Sequence, residues 1–317
     1  MKKQFQYLDS IAKNNIIEWG LGDWMEVGSV RPVRTPVPQT STCAFYYFAE
    51  ILSKTAHLMD KPREAHEFAQ KAKQIRTAYN KQFLNAETGE YAKGSQTSQL
   101  ISLIFGLAPP DHRELILKAF ADRIEKDKRH LTTGFIGTPL LLTGLCDLGR
   151  ADLAWSIATQ TDYPSFIDAI LNRGQTVMKE DWNGGLVQMP SLQGPIGTWF
   201  FHGLAGIRTD TDRAGFKHVI LKPEITGNLT WVKARHETLF GPVESNWQHT
   251  NGKFTWQIRI PPNVTASVYV PAEDLDSITE SGKALGDVRE LKVTERGAGY
   301  VKLAVQSGRY EFTSAVD

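Results

Sequence analysis

Cysteine is scarce in this sequence, because only Cys43 and Cys146 occur among 317 residues. Both stand inside apolar stretches, which favours two buried thiols over a disulfide framework or a thiolate metal site. No spacing of histidine and cysteine suggests zinc, and isolated aspartates do not indicate calcium. The sequence therefore predicts neither a metal ion nor another cofactor.

The sequence also lacks an excess of positive or negative residues, and it lacks a long run of apolar residues. The 36 Lys and Arg residues nearly balance 35 Asp and Glu residues. Such a chain has no general field that attracts nucleic acid or anionic lipid. No stretch contains 18 unbroken apolar residues, and the residues after Met1-Lys2-Lys3 lack the apolar region of a signal peptide. Neither nucleic acid nor a membrane is an expected partner, and no localisation is predicted.

The first two-thirds of the chain has the pattern of helices. Apolar residues recur at steps of three and four from Ala44 to Leu58, which predicts a helix with one apolar face. The same period continues from Pro62, after the capping residue Asp60, to Phe83. These segments predict an antiparallel helix pair. Further helices are predicted at about 100–107, 111–128, 139–148, 151–159 and 198–206.

The period changes near Thr209, where short segments of alternating or β-branched residues begin. Turn residues such as Asn251-Gly252 separate them. The predicted strands lie at about 219–221, 229–232, 243–247, 254–260, 266–270 and 300–305. The expected architecture is a helical domain over residues 1–210 and an antiparallel β-sandwich over residues 211–317.

Two adjacent acids, Glu180 and Asp181, stand beside Trp182. Cleavage of a glycosidic bond needs one carboxylic acid for the leaving oxygen and a second carboxylate as base or nucleophile. Neighbouring side chains on an extended segment point to different sides, so these two acids cannot form that pair across one bond. By themselves the two acids also fit a solvated loop, and that alternative stays open.

Several motifs have the order and spacing of a known family. They are Gly22-Asp23-Trp24, Thr132 to Thr138, Asp162 to Phe166, Gly174-Gln175-Thr176 leading to Glu180-Asp181-Trp182-Asn183-Gly184, and Trp199 to Ile207. The tail adds Ile260 to Asn263, Ala266 to Pro271 and Ser307 to Phe312. In these features the sequence resembles glycoside hydrolase family 78, the α-L-rhamnosidases, over almost its whole length.

The resemblance implies an (α/α)6 helical barrel followed by the β domain, and hydrolysis of terminal α-L-rhamnosyl linkages with inversion. Glu180 falls at the family's general base, where an ionised carboxylate accepts a proton from the attacking water. Inverting enzymes hold acid and base roughly 6.5–9.5 Å apart. Asp23 matches a position that accepts hydrogen bonds from ring hydroxyls. Trp24 and Trp182 match the subsite as well, with Trp24 as an aromatic wall.

Three further residues are candidates for contact with the sugar. His130 is the histidine expected nearest the pocket, although a surface position beside Lys128 and Arg129 is the alternative. Phe135 and Tyr163 fit either the lining of the subsite or packing between helices. Carbohydrate is the expected substrate.

The sequence also departs from the family. Its general-acid motif, of the type Asp-x-x-x-Arg-Asp-Glu-Arg-x-Gly-Trp, does not precede Gly22, and roughly eight predicted helices compare with the twelve of a closed barrel. Gly194 stands where the family has a histidine. These departures are consistent with a piece of a longer enzyme, with one chain of a two-chain enzyme, or with a non-catalytic remnant that binds rhamnose-containing glycans.

Overall fold

The computed structural model describes residues 1–182, 192–288 and 291–316. The chain forms two compact units, Met1–Pro195 and Ile196–Asp317, which we call the helical unit and the sheet unit. The sequence placed the domain boundary after residue 210. Residues 196–210 belong to the sheet unit by their contacts. Among these contacts, the strand residues Ser245 and Trp247 bond the carbonyls of Ala205 and Leu204.

The helical unit is built from short and medium helices. Its described residues form α1 (Lys2–Ile11), α2 (Val37–Leu58), α3 (Pro62–Phe83), α4 (Gln96–Ile104), α5 (Arg113–Lys126), α6 (Thr138–Asp147), α7 (Ala151–Ala158) and α8 (Phe166–Leu171). Helices α1 and α8 are additions to the predicted set. The prediction of a helical region is confirmed.

Helices α2 and α3 form the predicted pair. Phe45, Ala49 and Leu52 of α2 are buried, as are Ile75 and Tyr79 of α3, in agreement with a single apolar face on each helix. Pro62 opens α3, where its missing N–H would have no helical partner. Cys43 and Cys146 are both buried, as expected.

Helix α4 differs from α2 and α3 because most of its buried side chains are polar. Residues 96–103 are all buried, although the set includes glutamine, threonine and serine side chains. Ser95 caps the helix by accepting a hydrogen bond from the Ser98 N–H. Buried polar groups of this kind require partners. Ser98 bonds Gln39 of α2, Ser102 bonds Tyr79 of α3, and Thr97 bonds Asp23 in the candidate site.

The sheet unit begins with a short helix, α9 (Ile196–Trp199), and a π-helical turn over Phe200–Leu204. Its strands are β1 (Ile207–Thr209), β2 (His218–Leu221), β3 (Trp231–Thr238), β4 (Gly241–Thr250), β5 (Lys253–Ile260), β6 (Thr265–Pro271), β7 (Thr279–Glu280), β8 (Lys283–Ala284), β9 (Lys292–Gly297), β10 (Tyr300–Val305) and β11 (Gly308–Ala315). One sheet has the order β1-β2-β6-β10-β9, and the other β3-β4-β5-β11-β7-β8.

The two sheets share an apolar core. In β4, β5 and β6 buried residues alternate with exposed or half-buried ones, which is the pattern of a strand with one face on the core. Trp247, Phe254, Trp256 and Phe312 are among the largest buried side chains. Most pairs are antiparallel as predicted, and β2 with β6 is a parallel pair. Among the described residues, no helix has the length and apolar character needed to cross a bilayer.

Candidate active site

Asp23 is fully buried and joins two distant motifs of the helical unit. Its Oδ1 accepts hydrogen bonds from the backbone N–H groups of Ile136 (2.8 Å) and Gly137 (3.0 Å). Its Oδ2 accepts from the Gly134 N–H (2.9 Å) and from the Thr97 hydroxyl (2.5 Å). A carboxylate offers about four acceptor positions, so the protein itself uses those of Asp23. The carboxylate therefore holds residues 134–137, the 134–137 loop, against the start of α4.

The two glycines of this loop are required by close contacts, with backbone atoms at Gly134 and with side-chain atoms at Gly137. A Cβ on Gly134 would lie 2.3 Å from the Trp24 carbonyl oxygen, and one on Gly137 would lie 2.1 Å from Thr97 Oγ1. The Phe135 N–H donates to the same Trp24 carbonyl at 2.7 Å. Since a side chain at either glycine would displace the loop, these glycines let Phe135 be placed beside Trp24.

A cavity of about 500 Å³ opens beside this loop. Its lining consists of Leu21, Gly22, Trp24, Thr40, Ser41, Ala44, Phe135, Ile136 and Glu180. Two aromatic residues and several aliphatic groups therefore surround one carboxyl group. A mostly apolar pocket of this volume with few polar groups is the usual form of a small-molecule site. We call it the Glu180 cavity.

One buried side chain, that of Gln193, holds the segment that carries Glu180. Gln193 is almost fully buried, and its Oε1 accepts from the Lys179 N–H (2.9 Å) while its Nε2 donates to the Asp181 carbonyl (3.0 Å). One carboxamide thus bonds the backbone immediately before and after Glu180. Gln193 was not predicted as a site residue, because a contact between positions fourteen residues apart leaves no local signal in the sequence.

Trp182, two residues after Glu180, is buried and helps to fix the position of the same segment. Its indole is 1% exposed, packs edge-on against Phe166 with ring centroids 5.2 Å apart, and donates to the Thr133 carbonyl at 3.3 Å. Arg173 donates to the Trp182 carbonyl at 2.6 Å. The structure places this indole in the interior of the helical unit and outside the described lining of the Glu180 cavity.

His130 and Tyr163 lie together but not in the cavity lining that the structure describes. The His130 Nδ1 is 3.1 Å from the Pro164 carbonyl, and its Nε2 is 3.5 Å from an Asp162 oxygen. Tyr163 is 43% exposed, and the Arg173 guanidinium lies 5.4 Å from its ring centroid. Burial raises the pKa of Tyr163 despite the neighbouring Arg173 charge.

The predicted residues thus separate into three groups. Glu180, Trp24 and Phe135 line one cavity. Asp23 and Trp182 are buried and lie outside its described lining. His130 and Tyr163 also lie outside that lining. Asn183 and Gly184, which belong to the predicted motifs, lie outside the described residues. Gly194 is half-buried and follows Gln193. Thr40, Ser41 and Thr97 are site residues that sequence reasoning did not identify, because only the packing of α2 and α4 brings them there.

Two family profiles match the chain. The bacterial alpha-L-rhamnosidase 6 hairpin glycosidase domain matches residues 1–204, and the bacterial alpha-L-rhamnosidase C-terminal domain matches residues 206–285. A curated alpha-L-rhamnosidase of Streptomyces avermitilis is 32% identical over 274 residues, which are 82% of this chain and 25% of that protein. The four curated relatives are matched over only 25–35% of their length.

Solved structures agree with these matches. An alpha-L-rhamnosidase from Dictyoglumus thermophilum superposes with a TM-score of 0.89 at 30% identity, over 99% of this chain and 36% of that one. The Streptomyces avermitilis alpha-L-rhamnosidase, solved with L-rhamnose, superposes with a TM-score of 0.86 at 28% identity, over 98% of this chain and 29% of that one. Both units therefore have counterparts in one family, and this chain belongs to the α-L-rhamnosidases of glycoside hydrolase family 78.

Proposed function

We propose that this chain supplies the general base and part of the sugar subsite of an α-L-rhamnosidase that inverts the anomeric centre. The observation that carries the proposal is the lining of the Glu180 cavity, to which Glu180, Trp24 and Phe135 all contribute. Family membership and the L-rhamnose bound to the Streptomyces avermitilis relative support the choice of sugar.

The chemistry assigns a separate task to each part of the cavity. Glu180 accepts a proton from a water molecule, and the resulting hydroxide oxygen attacks the anomeric carbon while the bond to the leaving oxygen breaks. A second carboxyl group, roughly 6.5–9.5 Å from Glu180, must protonate the leaving oxygen. The sequence contains no match to the family's general-acid motif, so we assign that group to no residue of this chain.

The apolar walls suit the sugar. L-Rhamnose is a 6-deoxy sugar, so it presents a methyl group and C–H faces in addition to its hydroxyl groups. Leu21, Ala44 and Ile136 offer aliphatic surface, and Trp24 and Phe135 offer flat rings on which C–H faces pack. Thr40 and Ser41 offer hydroxyl groups at the same cavity.

Asp23, Trp182 and Gln193 are proposed as positioning residues. The sequence assigned Asp23 to ring hydroxyls and Trp182 to the subsite, and those contacts stay predictions. The four protein donors on Asp23 and the burial of the Trp182 indole favour indirect roles instead. In this assignment Asp23 sets the position of Phe135, while Trp182 and Gln193 set that of Glu180.

The decisive experiment is Glu180→Gln in the complete gene product that contains this chain. We expect hydrolysis of an aryl α-L-rhamnoside to fall by about 10²–10⁴-fold, because the amide cannot accept the proton of water. Titration calorimetry should show retained L-rhamnose binding. Glu87→Gln, at an exposed position of the same unit, is the matched control and should leave turnover unchanged.

Two other outcomes would change the conclusion. Near-normal turnover in Glu180→Gln would remove the base assignment. Binding of L-rhamnose without any turnover by the unaltered gene product would favour a glycan-binding protein. Proton NMR of the first product formed tests inversion, since an α-linked substrate must then release the β anomer.

A further inference from the structure

The outer face of the six-stranded sheet carries two ordered rows of polar side chains. Strand pairing places Glu244 of β4, Arg259 of β5 and Arg309 of β11 side by side. Two residues further along these strands, Asn246, Gln257 and Glu311 form the second row. Since strands lie about 4.8 Å apart and residues two apart about 7 Å, the six side chains cover roughly 10 by 7 Å. This area matches one or two sugar rings.

A cavity of about 310 Å³ lies over these rows. Ile258, Ser281 and Tyr310 complete its lining, and the Ser281 N–H donates to the Glu311 carbonyl at 2.9 Å. Below the rows, Ile258 and Phe312 are buried in the core, so the face rests on a packed layer. We call this feature the β4-β5-β11 cavity.

The charged side chains of the cavity differ in the number of ion pairs that they form. Glu244 is 3.2 Å from an Arg259 nitrogen and 3.3 Å from an Arg235 nitrogen, so two guanidinium groups share one carboxylate. Glu311 accepts a hydrogen bond from Gln257 at 2.7 Å. Among the described residues, no carboxylate lies within ion-pair distance of Arg309. Arg309 also stands directly opposite Arg259, and like charges in that arrangement repel.

From this arrangement we infer that the β4-β5-β11 cavity, whose lining residues all belong to the sheet unit, binds a carboxylate-bearing sugar of an acidic glycan. The sugar carboxylate lies against the Arg309 and Arg259 guanidinium groups, which accept planar two-oxygen anions through paired N–H donors. Asn246 and Gln257 meet the ring hydroxyls with their carboxamides. Neither role depends on hydrolysis or on the assignment of Glu180.

The test measures binding of an oligogalacturonate, chosen as a polymeric hexuronate, to the whole 317-residue chain by titration calorimetry. We expect Arg309→Gln to weaken binding at least tenfold, while Arg296→Gln, an exposed arginine of β9 in the other sheet, changes it less than twofold. Gln257→Ala should weaken binding of the oligosaccharide as well. Circular dichroism confirms that each variant is folded.

Comparison ligands separate a glycan site from a general anion site. A neutral oligosaccharide and inorganic phosphate should each bind at least tenfold more weakly than the oligogalacturonate. The inference is overturned if the unaltered chain does not bind the oligogalacturonate, if Arg309→Gln binds it equally well, or if phosphate binds with the same affinity. An unchanged result with Glu180→Gln shows that the Glu180 cavity is not responsible.

Discussion

The interiors of the two units differ in chemistry. In the helical unit the buried residues include Asp23, Glu26, Gln39 and Gln99, and each of them bonds a backbone group of another segment. In the sheet unit the central cluster is aliphatic and aromatic, while the polar rows lie on the outer face. The comparison teaches that an apolar core gives a rigid support for a surface site, whereas a polar interior can determine the position of loops around a cavity.

The largest loss of stability is expected from a substitution in the apolar core of the sheet unit. Phe312→Ala should lower the free energy of unfolding of the sheet unit by about 3–5 kcal/mol, because Phe312 is fully buried beside Trp256 and its removal leaves a cavity. Leu239→Ala, at a 96% exposed position, should have almost no effect. Chemical denaturation with peptide-resolved hydrogen exchange assigns the change to a unit. If Phe312→Ala and Leu239→Ala lowered the free energy of unfolding equally, the apolar core would not be the source of the stability of the sheet unit.

A smaller loss of stability is expected from a substitution in the polar interior of the helical unit. Asp23→Asn should cost about 1–3 kcal/mol, because one oxygen becomes an amino group that faces N–H or O–H donors. Thr97→Val removes one of those donors, so the double variant should deviate from additivity by about 0.5–3 kcal/mol. Asp122→Asn, at an exposed position, is the control.

The same variants also test the positioning role. If Asp23 acts through the 134–137 loop, Asp23→Asn should weaken L-rhamnose binding, and Asp23→Glu should not restore it because the longer side chain displaces the loop. Strict additivity with Thr97→Val would show that the two side chains act independently. Normal sugar binding in Asp23→Asn would remove the positioning role.

A matched pair of glycines sharpens the comparison. Gly137→Ala should cost about 1–3 kcal/mol, because its Cβ would lie 2.1 Å from Thr97 Oγ1 and 2.8 Å from Thr133 Cβ. Gly286→Ala in the sheet unit meets nothing within 4 Å and should be neutral. Thermal unfolding of both variants is the measurement. A neutral Gly137→Ala would mean that the 134–137 loop is less tightly held than its contacts indicate.

The smallest effect concerns pH in the sheet unit. Burial, with the nearby Arg213 charge as the second cause, lowers the pKa of His218. Below about pH 6.5 the unfolded chain therefore binds a proton that the folded histidine does not, so stability falls as the pH decreases through that value. His218→Gln should flatten the stability profile between pH 7 and 5, whereas His66→Gln serves as the exposed control. An unchanged profile in His218→Gln would contradict the assignment.

Local patterns predicted much of the fold and part of the site. The 3.6-residue period of α2 and α3 and the alternation in β5 and β6 can be read because each element buries one face. Strands β7 and β8 have two residues each, too few for any period, and were not predicted. The motif around Glu180 was recognised through a family resemblance, because adjacent acids by themselves fit a solvated loop equally well.

The sequence by itself determined the helical region, the sheet region that follows it and the family, since these depend on residue spacing along the chain. Only the tertiary structure decided that Trp24, Phe135 and Glu180 share a cavity. It also decided that Asp23 meets donors 74 to 114 residues away. The physical reason is that hydrogen bonding and burial are satisfied between segments that are far apart in sequence, and no local pattern records which distant partner a buried carboxylate will find.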